Sequence, residues 1–301
     1  MAVTQILITG ADGQLGRALT HQFSVPDCSV VALSREQLDI TDSTAVNKAI
    51  QTHRPEFVLN AAGFSSWTVA QQKPAQCYAV TRDGAGNLAK ACAQHGAVMV
   101  QFSSEHVFAG DSYQAMTEAD LPQPQSVLGN SQLEAEHRVR EYCAEHIIIR
   151  SSGLFSGFGN NIITQTLQSI QRGQPIYATE EVIYCPTYAD HLAIILLGVV
   201  RQLACRVDPV LWGTYHYCDK QQISHFEFVQ SIVAQAELLG LGAPVPVLQA
   251  APEQVPHWPN TQRFCVLATD HIFLNFGVRQ RRWRLGLNTA LQQCETFIVN
   301  N

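Results

Sequence analysis

Three glycines, each three residues after the last, stand near the start of the chain at Gly10, Gly13 and Gly16. An apolar run from Ile6 to Ile8 precedes them, and a helical pattern of apolar residues begins within them. This order predicts a buried strand, a tight turn and a helix N-terminus, which together bind the pyrophosphate of a dinucleotide. The first glycine permits the tight turn, and the second lets the backbone approach a phosphate group. The third lets the helix pack closely against the strand. A glycine turn that serves packing only is the alternative. The predicted phosphate-binding residues are Gly10, Asp12, Gly13, Gln14, Leu15 and Gly16.

The end of the second predicted strand, at 29–33, indicates which dinucleotide this turn would bind. The adenosine ribose lies beside this position, where an acidic residue would bind the 2′-hydroxyl of NAD. Ser34 and Arg35 stand there instead, and a serine followed by an arginine suits a 2′-phosphate. The sequence therefore favours NADP over NAD, with an ordinary surface arginine as the alternative for Arg35. The small residues after the third strand, which leave room for a cofactor, are Ala61, Ala62 and Gly63.

Strands and helices alternate along the first half of the chain. A helical pattern at 75–94 precedes a strand at 97–102, and one at 129–145 precedes a strand at 147–150. This alternation predicts an α/β fold, a Rossmann-type doubly wound parallel sheet that binds ligands at the carboxyl ends of its strands. Beyond Gly153 the pattern changes, and one more strand is predicted at 213–217. The remainder reads as helix and loop without sheet alternation, and we expect a smaller C-terminal substrate domain. The predicted division is 1–153 with 184–215 for the dinucleotide-binding domain, and 154–183 with 216–301 for the smaller domain.

The composition is that of a well-packed protein of 301 residues, with 46% hydrophobic and 15% charged residues. A formal net charge of -6 argues against general affinity for nucleic acid, whose phosphates require a basic face. The nine cysteines form no C-x-x-C pair, which favours reduced, buried thiols in a cytoplasmic protein. We expect no signal peptide, no metal site and no membrane span, since no apolar run approaches the ~20 residues that a bilayer requires.

Several motifs spread over nearly the whole chain resemble those of the extended short-chain dehydrogenase/reductases, and within them the dTDP-4-dehydrorhamnose reductases. They are the glycine turn at 8–16, Leu-Asp-Ile-Thr-Asp at 38–42, Asn-Ala-Ala at 60–62, Ser-Ser-Glu-His-Val-Phe at 103–108, Gly-Asn-Asn at 159–161, Pro-Thr-Tyr-Ala-Asp at 186–190 and Gly-Thr-Tyr-His at 213–216. The resemblance implies an NAD(P)-binding domain with a nucleotide-sugar pocket. It also implies cofactor contacts at Asp39 and Ile40, and substrate contacts at Asn160, Asn161 and Trp258.

Two positions depart from the resemblance where the family's chemistry takes place. The family uses a tyrosine, whose hydroxyl protonates the carbonyl oxygen as hydride arrives, and a lysine four residues later that lowers the tyrosine pKa. Here the tyrosine position is Leu128 and the lysine position is Gln132. Leucine has no proton to give and glutamine has no charge, so the family's usual route is closed. Gly153 likewise stands where the family has a tryptophan, and Tyr184 where it has a glycine.

Three other residues are candidates for catalysis at the end of the fourth strand. His106 could supply the proton, because an imidazole titrates near pH 7, and a hydrogen bond to the scaffold is the alternative role. Ser103 and Ser104 could hold a carbonyl oxygen, but a hydroxyl near its normal pKa is a poor acid.

The sequence leaves three functions open. The first is a monomeric or homodimeric protein that binds NADP and a nucleotide sugar and acts on a partner enzyme. The regulatory subunit of methionine adenosyltransferase, which resembles these reductases, is a precedent. The second is an active NADPH-dependent reductase that uses His106 or water as its acid. The third is a nucleic-acid-binding module built on arginines around Trp283, which the acidic net charge disfavours. These arginines are Arg279, Arg281, Arg282 and Arg284. We favour the first function.

Overall fold

The computed structural model describes residues 3–205, 211–255 and 262–298. Its strands are β1 (Thr4–Thr9), β2 (Cys28–Leu33), β3 (Phe57–Asn60), β4 (Val98–Ser104), β5 (His146–Ser151), β6 (Leu154–Phe155), β7 (Ile176–Ala178), β8 (Ile183–Tyr184), β9 (Thr187–Tyr188), β10 (Gly213–His216), β11 (Ile223–Ser224), β12 (Val247–Gln249) and β13 (Phe264–Cys265). Its α-helices are α1 (Gln14–Gln22), α2 (Ser43–His53), α3 (Trp67–Gln72), α4 (Pro74–Tyr78), α5 (Gly84–His95), α6 (Val127–Tyr142), α7 (Ile162–Gln171), α8 (Ala189–Ala204), α9 (His225–Leu238), α10 (Asp270–Phe276) and α11 (Trp283–Ile298).

Six parallel strands form the central sheet, in the order β10-β5-β4-β3-β1-β2. The chain runs from β1 to β2 on one side and then from β3 outward on the other, so the strand order reverses between β1 and β3. In such sheets the crevice beyond the carboxyl ends of the strands at this reversal binds the ligand. Thr9, Leu33, Asn60 and Ser104 end four of the strands and lie at that edge. The predicted Rossmann-type fold is confirmed.

Helices cover both faces of the sheet. Leu19 of α1 and Leu196 of α8 pack with Ile8 on one face, while Leu88 of α5 packs with Leu7 on the other. The neighbours Leu7 and Ile8 can serve opposite faces because successive side chains alternate along a strand. All five side chains are fully buried, and burying each contributes about 1.5–3 kcal/mol to folding. The sheet edge that carries the candidate site therefore rests on two well-packed layers.

The helix predicted at 75–94 is divided in the structure. Helix α4 ends at Tyr78, a π-helical turn spans Ala79–Asp83, and α5 begins at Gly84. A π turn inserts an extra residue without changing how apolar the segment is, so the apolar pattern does not reveal it. Within the turn lies Thr81, whose hydroxyl accepts a hydrogen bond from the Phe64 N–H at 3.5 Å. The turn therefore fixes the chain just after the predicted cofactor residues at 61–63.

Buried residues between Phe155 and Cys294 form a second core, separate from those that pack on the large sheet. This second core includes strands, so the prediction of helix and loop alone for the last part of the chain was wrong. Strands β11, β8 and β13 form a three-stranded sheet, and β7 and β12 form a parallel pair. Each of these strands is two or three residues long, too short to show an alternating pattern. Tyr184 and Tyr188 pack in this second core with Phe155 and Trp283, whereas Ala189, the next residue along, packs against the large sheet. Within the described residues, no helix is both long and apolar enough to cross a membrane.

Candidate active site

The glycine turn has the shape that a close-packed phosphate loop requires. Gly10 has φ +65°, and a Cβ atom there would lie 2.6 Å from the backbone nitrogen of Ala62. A Cβ atom on Gly16 would lie 2.8 Å from the Cα atom of Ala11. Both glycines are therefore required by the packing of β1, the turn and α1. Gly13 differs, because a Cβ atom there would meet only the Gly10 carbonyl oxygen, at 3.3 Å.

The first turn of α1 suits an anionic ligand. Gly13 is the N-cap and makes no side-chain hydrogen bond to the helix, so the first backbone N–H groups lack a side-chain cap. Backbone N–H groups and the helix dipole at such a terminus favour a phosphate. Asp12 is exposed and Leu15 is buried, so Leu15 serves packing. Gln14 accepts a hydrogen bond from the Ser156 hydroxyl at 3.3 Å, which connects this turn to the segment before α7.

The end of β2 is followed by an exposed arginine, Arg35, with Glu36 next to it in the chain. Arg35 is exposed and takes part in no salt bridge that the described residues form. The Ser34 N–H donates to Gln37 Oε1 at 2.8 Å, which fixes the turn. Hydrogen bonds from the backbone N–H and hydroxyl of Thr41, at 2.9 and 2.8 Å, lower the pKa of Asp39. The Asp39 carboxylate therefore stabilises the turn at 39–41.

Of the other predicted cofactor positions, Ile40, Ala61 and Ala62 pack against the scaffold and Gly63 is open. Ile40 is buried, and its side chain lies over Gly84, where a Cβ atom would meet Ile40 Cδ1 at 2.6 Å. Ala62 abuts Gly10, and both Ala61 and Ala62 border the apolar cores. Gly63 has no atom within 4 Å of a built Cβ, so it is open on its side-chain face.

A buried row of polar side chains joins the ends of β1 and β3 to the middle of β4, and sequence reasoning missed it. The Thr9 hydroxyl donates to Asn60 Oδ1, and Asn60 Nδ2 donates to Gln101 Oε1, both at 2.7 Å. Asn60 Oδ1 also accepts from the Ala62 N–H at 3.3 Å. Only the presence of polar residues within or at the ends of apolar strands could have indicated the row. Since buried polar groups are costly when unpaired, the row holds β1, β3 and β4 in register below the cleft.

The structure brings Ser104 and Gln132 together. The Ser104 hydroxyl donates to Gln132 Oε1 at 2.7 Å, so the side chain at the lysine position binds the predicted catalytic serine. Leu128 lies one turn earlier on α6 and is 1% exposed. It packs in an apolar cluster with Ala70 and Cys77, bordered by Trp67. No acid is present at either position.

His106 is held by the scaffold. Its Nδ1 atom lies 2.6 Å from Gln262 Oε1, and Gln262 Nε2 donates to the Phe108 carbonyl oxygen at 2.8 Å. These bonds favour the scaffold role for His106 over that of a proton donor. Ser103 is buried in β4, opposite Arg150 of β5. Ser103 therefore lies below the cleft.

The predicted substrate residues occupy the loop before α7. Asn161 caps that helix, because its Oδ1 accepts from the Ile163 N–H at 2.9 Å and its Nδ2 donates to the Ser156 and Phe158 carbonyls at 3.0 and 2.9 Å. Asn160 is exposed and accepts from Gln165 Nε2 at 2.9 Å. Trp258 lies outside the described residues. The described residues hold no cluster of histidine, cysteine and carboxylate side chains suited to a metal ion.

The comparisons with known proteins agree with this geometry. The family model of the RmlD substrate binding domain matches residues 4–296. The chain belongs to the RmlD family. The dTDP-4-dehydrorhamnose reductase of Sinorhizobium fredii is 27% identical over 281 residues, covering 93% of this chain and 94% of that relative. The enzyme of the same name from Streptomyces griseus is 32% identical over 211 residues, covering 70% and 69%.

Solved structures of RmlD relatives superpose over nearly the whole chain. The dTDP-4-dehydrorhamnose reductase of Clostridium acetobutylicum has a TM-score of 0.87 at 28% identity, covering 97% of this chain and 100% of the other. That of Bacillus anthracis, solved in complex with NADP, has a TM-score of 0.86 at 26% identity, covering 99% and 100%.

Two positions at which this RmlD family member departs from the family pattern, Gly153 and Tyr184, are in contact in the structure. A Cβ atom on Gly153 would meet the ring of Tyr184, with Cε2 at 2.7 Å, and Gly153 has φ +54°. Where the family has a tryptophan and a glycine, this chain has Gly153 and Tyr184, so the large and the small residue have changed places. The Tyr184 ring occupies the space beside Gly153. Below them, Glu105 accepts from the Gly153 N–H at 3.3 Å, and burial raises the pKa of its carboxyl. Glu105 therefore orients the turn at Gly153. The contact between Gly153 and Tyr184 could not be predicted without the fold.

Proposed function

We propose that this RmlD family member binds NADP(H), with a nucleotide sugar as its second ligand, and acts through that binding. The glycine turn supports the cofactor, because Gly10 and Gly16 fit the close-packed loop and the start of α1 lacks a side-chain cap. The NADP complex of the Bacillus anthracis relative supports it independently. Bound there, the cofactor would offer a hydride from its nicotinamide. Arg35, exposed and without a salt bridge to described residues, favours NADP over NAD.

One observation carries the proposal that binding has replaced the usual reduction. Leu128 is buried among apolar side chains at the tyrosine position, and Gln132 accepts a hydrogen bond from Ser104 at the lysine position. A leucine side chain cannot protonate an alkoxide, and a neutral amide cannot lower the pKa of a neighbouring acid. His106, the other candidate acid, already binds Gln262. The role that fits this arrangement is regulation of a partner enzyme in the cytoplasm by a monomer or homodimer.

The cofactor part is tested by thermal unfolding with NADPH and with NADH. At 100-fold excess over its Kd a ligand stabilises the folded state by about 2.7 kcal/mol, which corresponds to about 4 °C in Tm for a protein of 301 residues. We expect a shift of this size with NADPH, a smaller shift with NADH, and a smaller NADPH shift in Gly13→Ala, which adds a methyl group between backbone and phosphate. Equal shifts in Gly13→Ala and the parent protein would contradict binding at this turn.

The chemical part is tested by NADPH oxidation with dTDP-4-dehydrorhamnose, with the Streptomyces griseus relative as the positive control. We expect background rates from the parent protein and a gain of turnover in the Leu128→Tyr/Gln132→Lys variant. Brisk turnover by the parent protein would overturn the binding role. If that turnover disappeared in His106→Ala and survived in Ser104→Ala, His106 would be the acid.

A further inference from the structure

Four cations from two chain segments meet at the surface of the second core. Lys220 follows β10, Arg281 and Arg282 precede α11, and Arg284 lies in its first turn. The Lys220 N–H donates to the Arg281 carbonyl at 2.6 Å, and Lys220 also forms a backbone bridge with Arg282. All four residues are exposed. Lys220, Arg281, Arg282 and Arg284 form a basic strip on this surface.

The members of the basic strip lack an ion-pair partner among the described residues. Glu227 lines the cleft beside Arg284, but its carboxylate accepts hydrogen bonds from Ser224. No salt bridge that the described residues form includes any of its members, whereas Arg201 and Arg263 are paired with carboxylates. Like charges held side by side repel each other, although the chain as a whole carries a net charge of -6. An acidic ligand would relieve this repulsion.

The surroundings of the basic strip suit a polypeptide. The Arg284 guanidinium lies 4.3 Å from the centre of the Trp283 ring, and Trp283 packs edge-on against Phe228 at 5.1 Å, so this arginine is held in place. Leu285, next along the chain, is 68% exposed. Ordered arginines beside apolar side chains are typical of protein interfaces. A cleft of about 520 Å³ adjoins them, and its polar lining could bind a peptide backbone through Gln221, Gln222, Gln230 and Ser231.

We propose that the basic strip docks an acidic segment of another protein that also carries apolar side chains. Nucleic acid fits less well, because single strands are bound by stacking on exposed aromatic rings and Trp283 is 1% exposed. The acidic remainder of the chain also disfavours a long polyanion. The proposal goes beyond the cofactor role, since no member of the basic strip belongs to the dinucleotide site.

Fluorescence anisotropy tests the docking at low ionic strength. The probe is a labelled peptide repeat of Glu-Glu-Leu, with a Gln-Gln-Leu repeat and oligothymidylate for comparison. The strip variant is Arg281→Gln/Arg282→Gln/Arg284→Gln. The control variant, Lys48→Gln/Arg54→Gln/Arg172→Gln, removes the same charge at exposed positions elsewhere. The NADPH-induced Tm shift of each variant reports folding and cofactor binding separately.

We expect the full-length protein to bind the acidic peptide and the Gln-Gln-Leu repeat to bind far more weakly. Affinity should fall at least about tenfold in the strip variant, stay unchanged in the control variant, and weaken as salt is added. No binding of the acidic peptide would overturn the proposal, as would an equal loss in both variants. Tighter binding of oligothymidylate, lost in the strip variant, would overturn it in favour of nucleic acid. An unchanged Tm shift in the strip variant would leave the cofactor proposal intact in each case.

Discussion

Replacing Gly10 by alanine tests how the glycine turn is built, because it adds a single methyl group at the tightest point. The backbone there has φ +65°, and the new Cβ would lie 2.6 Å from the Ala62 nitrogen. A left-handed conformation costs a non-glycine residue about 1–2 kcal/mol, and forcing an extra carbon into a packed site costs about 1–3 kcal/mol. We therefore expect Gly10→Ala to lower the free energy of unfolding by about 2–5 kcal/mol.

Two other glycines separate these contributions. Gly96 has φ +69° but no atom within 4 Å of a built Cβ, so Gly96→Ala should cost only the conformational part, about 1–2 kcal/mol. Gly63 has neither a positive φ nor a close neighbour, so Gly63→Ala should change stability by less than about 1 kcal/mol. Urea unfolding followed by circular dichroism measures all three variants. If Gly10→Ala cost no more than Gly96→Ala, the argument from close packing against Ala62 would be refuted.

Two further predictions concern the second core and the sheet beneath the site. Gly153→Ala should cost about 2–5 kcal/mol alone, but only the conformational part of about 1–2 kcal/mol in a Tyr184→Ala background, where the ring that it meets is gone; additive losses in urea unfolding would contradict the contact. Burial, with the nearby Arg150 charge, lowers the pKa of His216 to about 3 from its ordinary 6.5. The unfolded chain therefore takes up the proton first, so stability is full above about pH 7.5 and falls as the pH drops towards about 3. Between pH 8 and pH 5, His216 alone should lower the free energy of unfolding by about 2 kcal/mol. Urea unfolding at both pH values measures this loss, and His216→Gln should lack it.

Local signals in the sequence predicted the sheet and its loop. The turn at Gly10, Gly13 and Gly16 follows a strand with three consecutive apolar residues at 6–8, and each feature depends on residues close together in the chain. Parallel strands separated by helices admit few arrangements, so the edge that carries the site followed from the order of elements. The absence of tyrosine and lysine at Leu128 and Gln132 could also be read directly.

Contacts between distant residues could not be predicted. The row from Thr9 through Asn60 to Gln101 joins three strands, and each of these residues alone is an ordinary polar residue of a strand. Gly153 and Tyr184 are separate departures in the sequence and become one exchange only when β8 packs beside the turn after β5. Strands of two residues, such as β8, owe their conformation to tertiary packing and leave no periodic pattern.

The three turn glycines differ in what they say about function. Gly10 and Gly16 are required by packing, since a Cβ atom at either would overlap backbone of the turn or of Ala62. A protein that had lost its cofactor would still need them to fold. Gly13 has φ -69°, and a Cβ atom there would make one tight contact, 3.3 Å from the Gly10 carbonyl oxygen, so the fold requires glycine there less strictly. A backbone that must approach a phosphate requires glycine there, which is why Gly13 carries more of the case for a bound dinucleotide than its two neighbours.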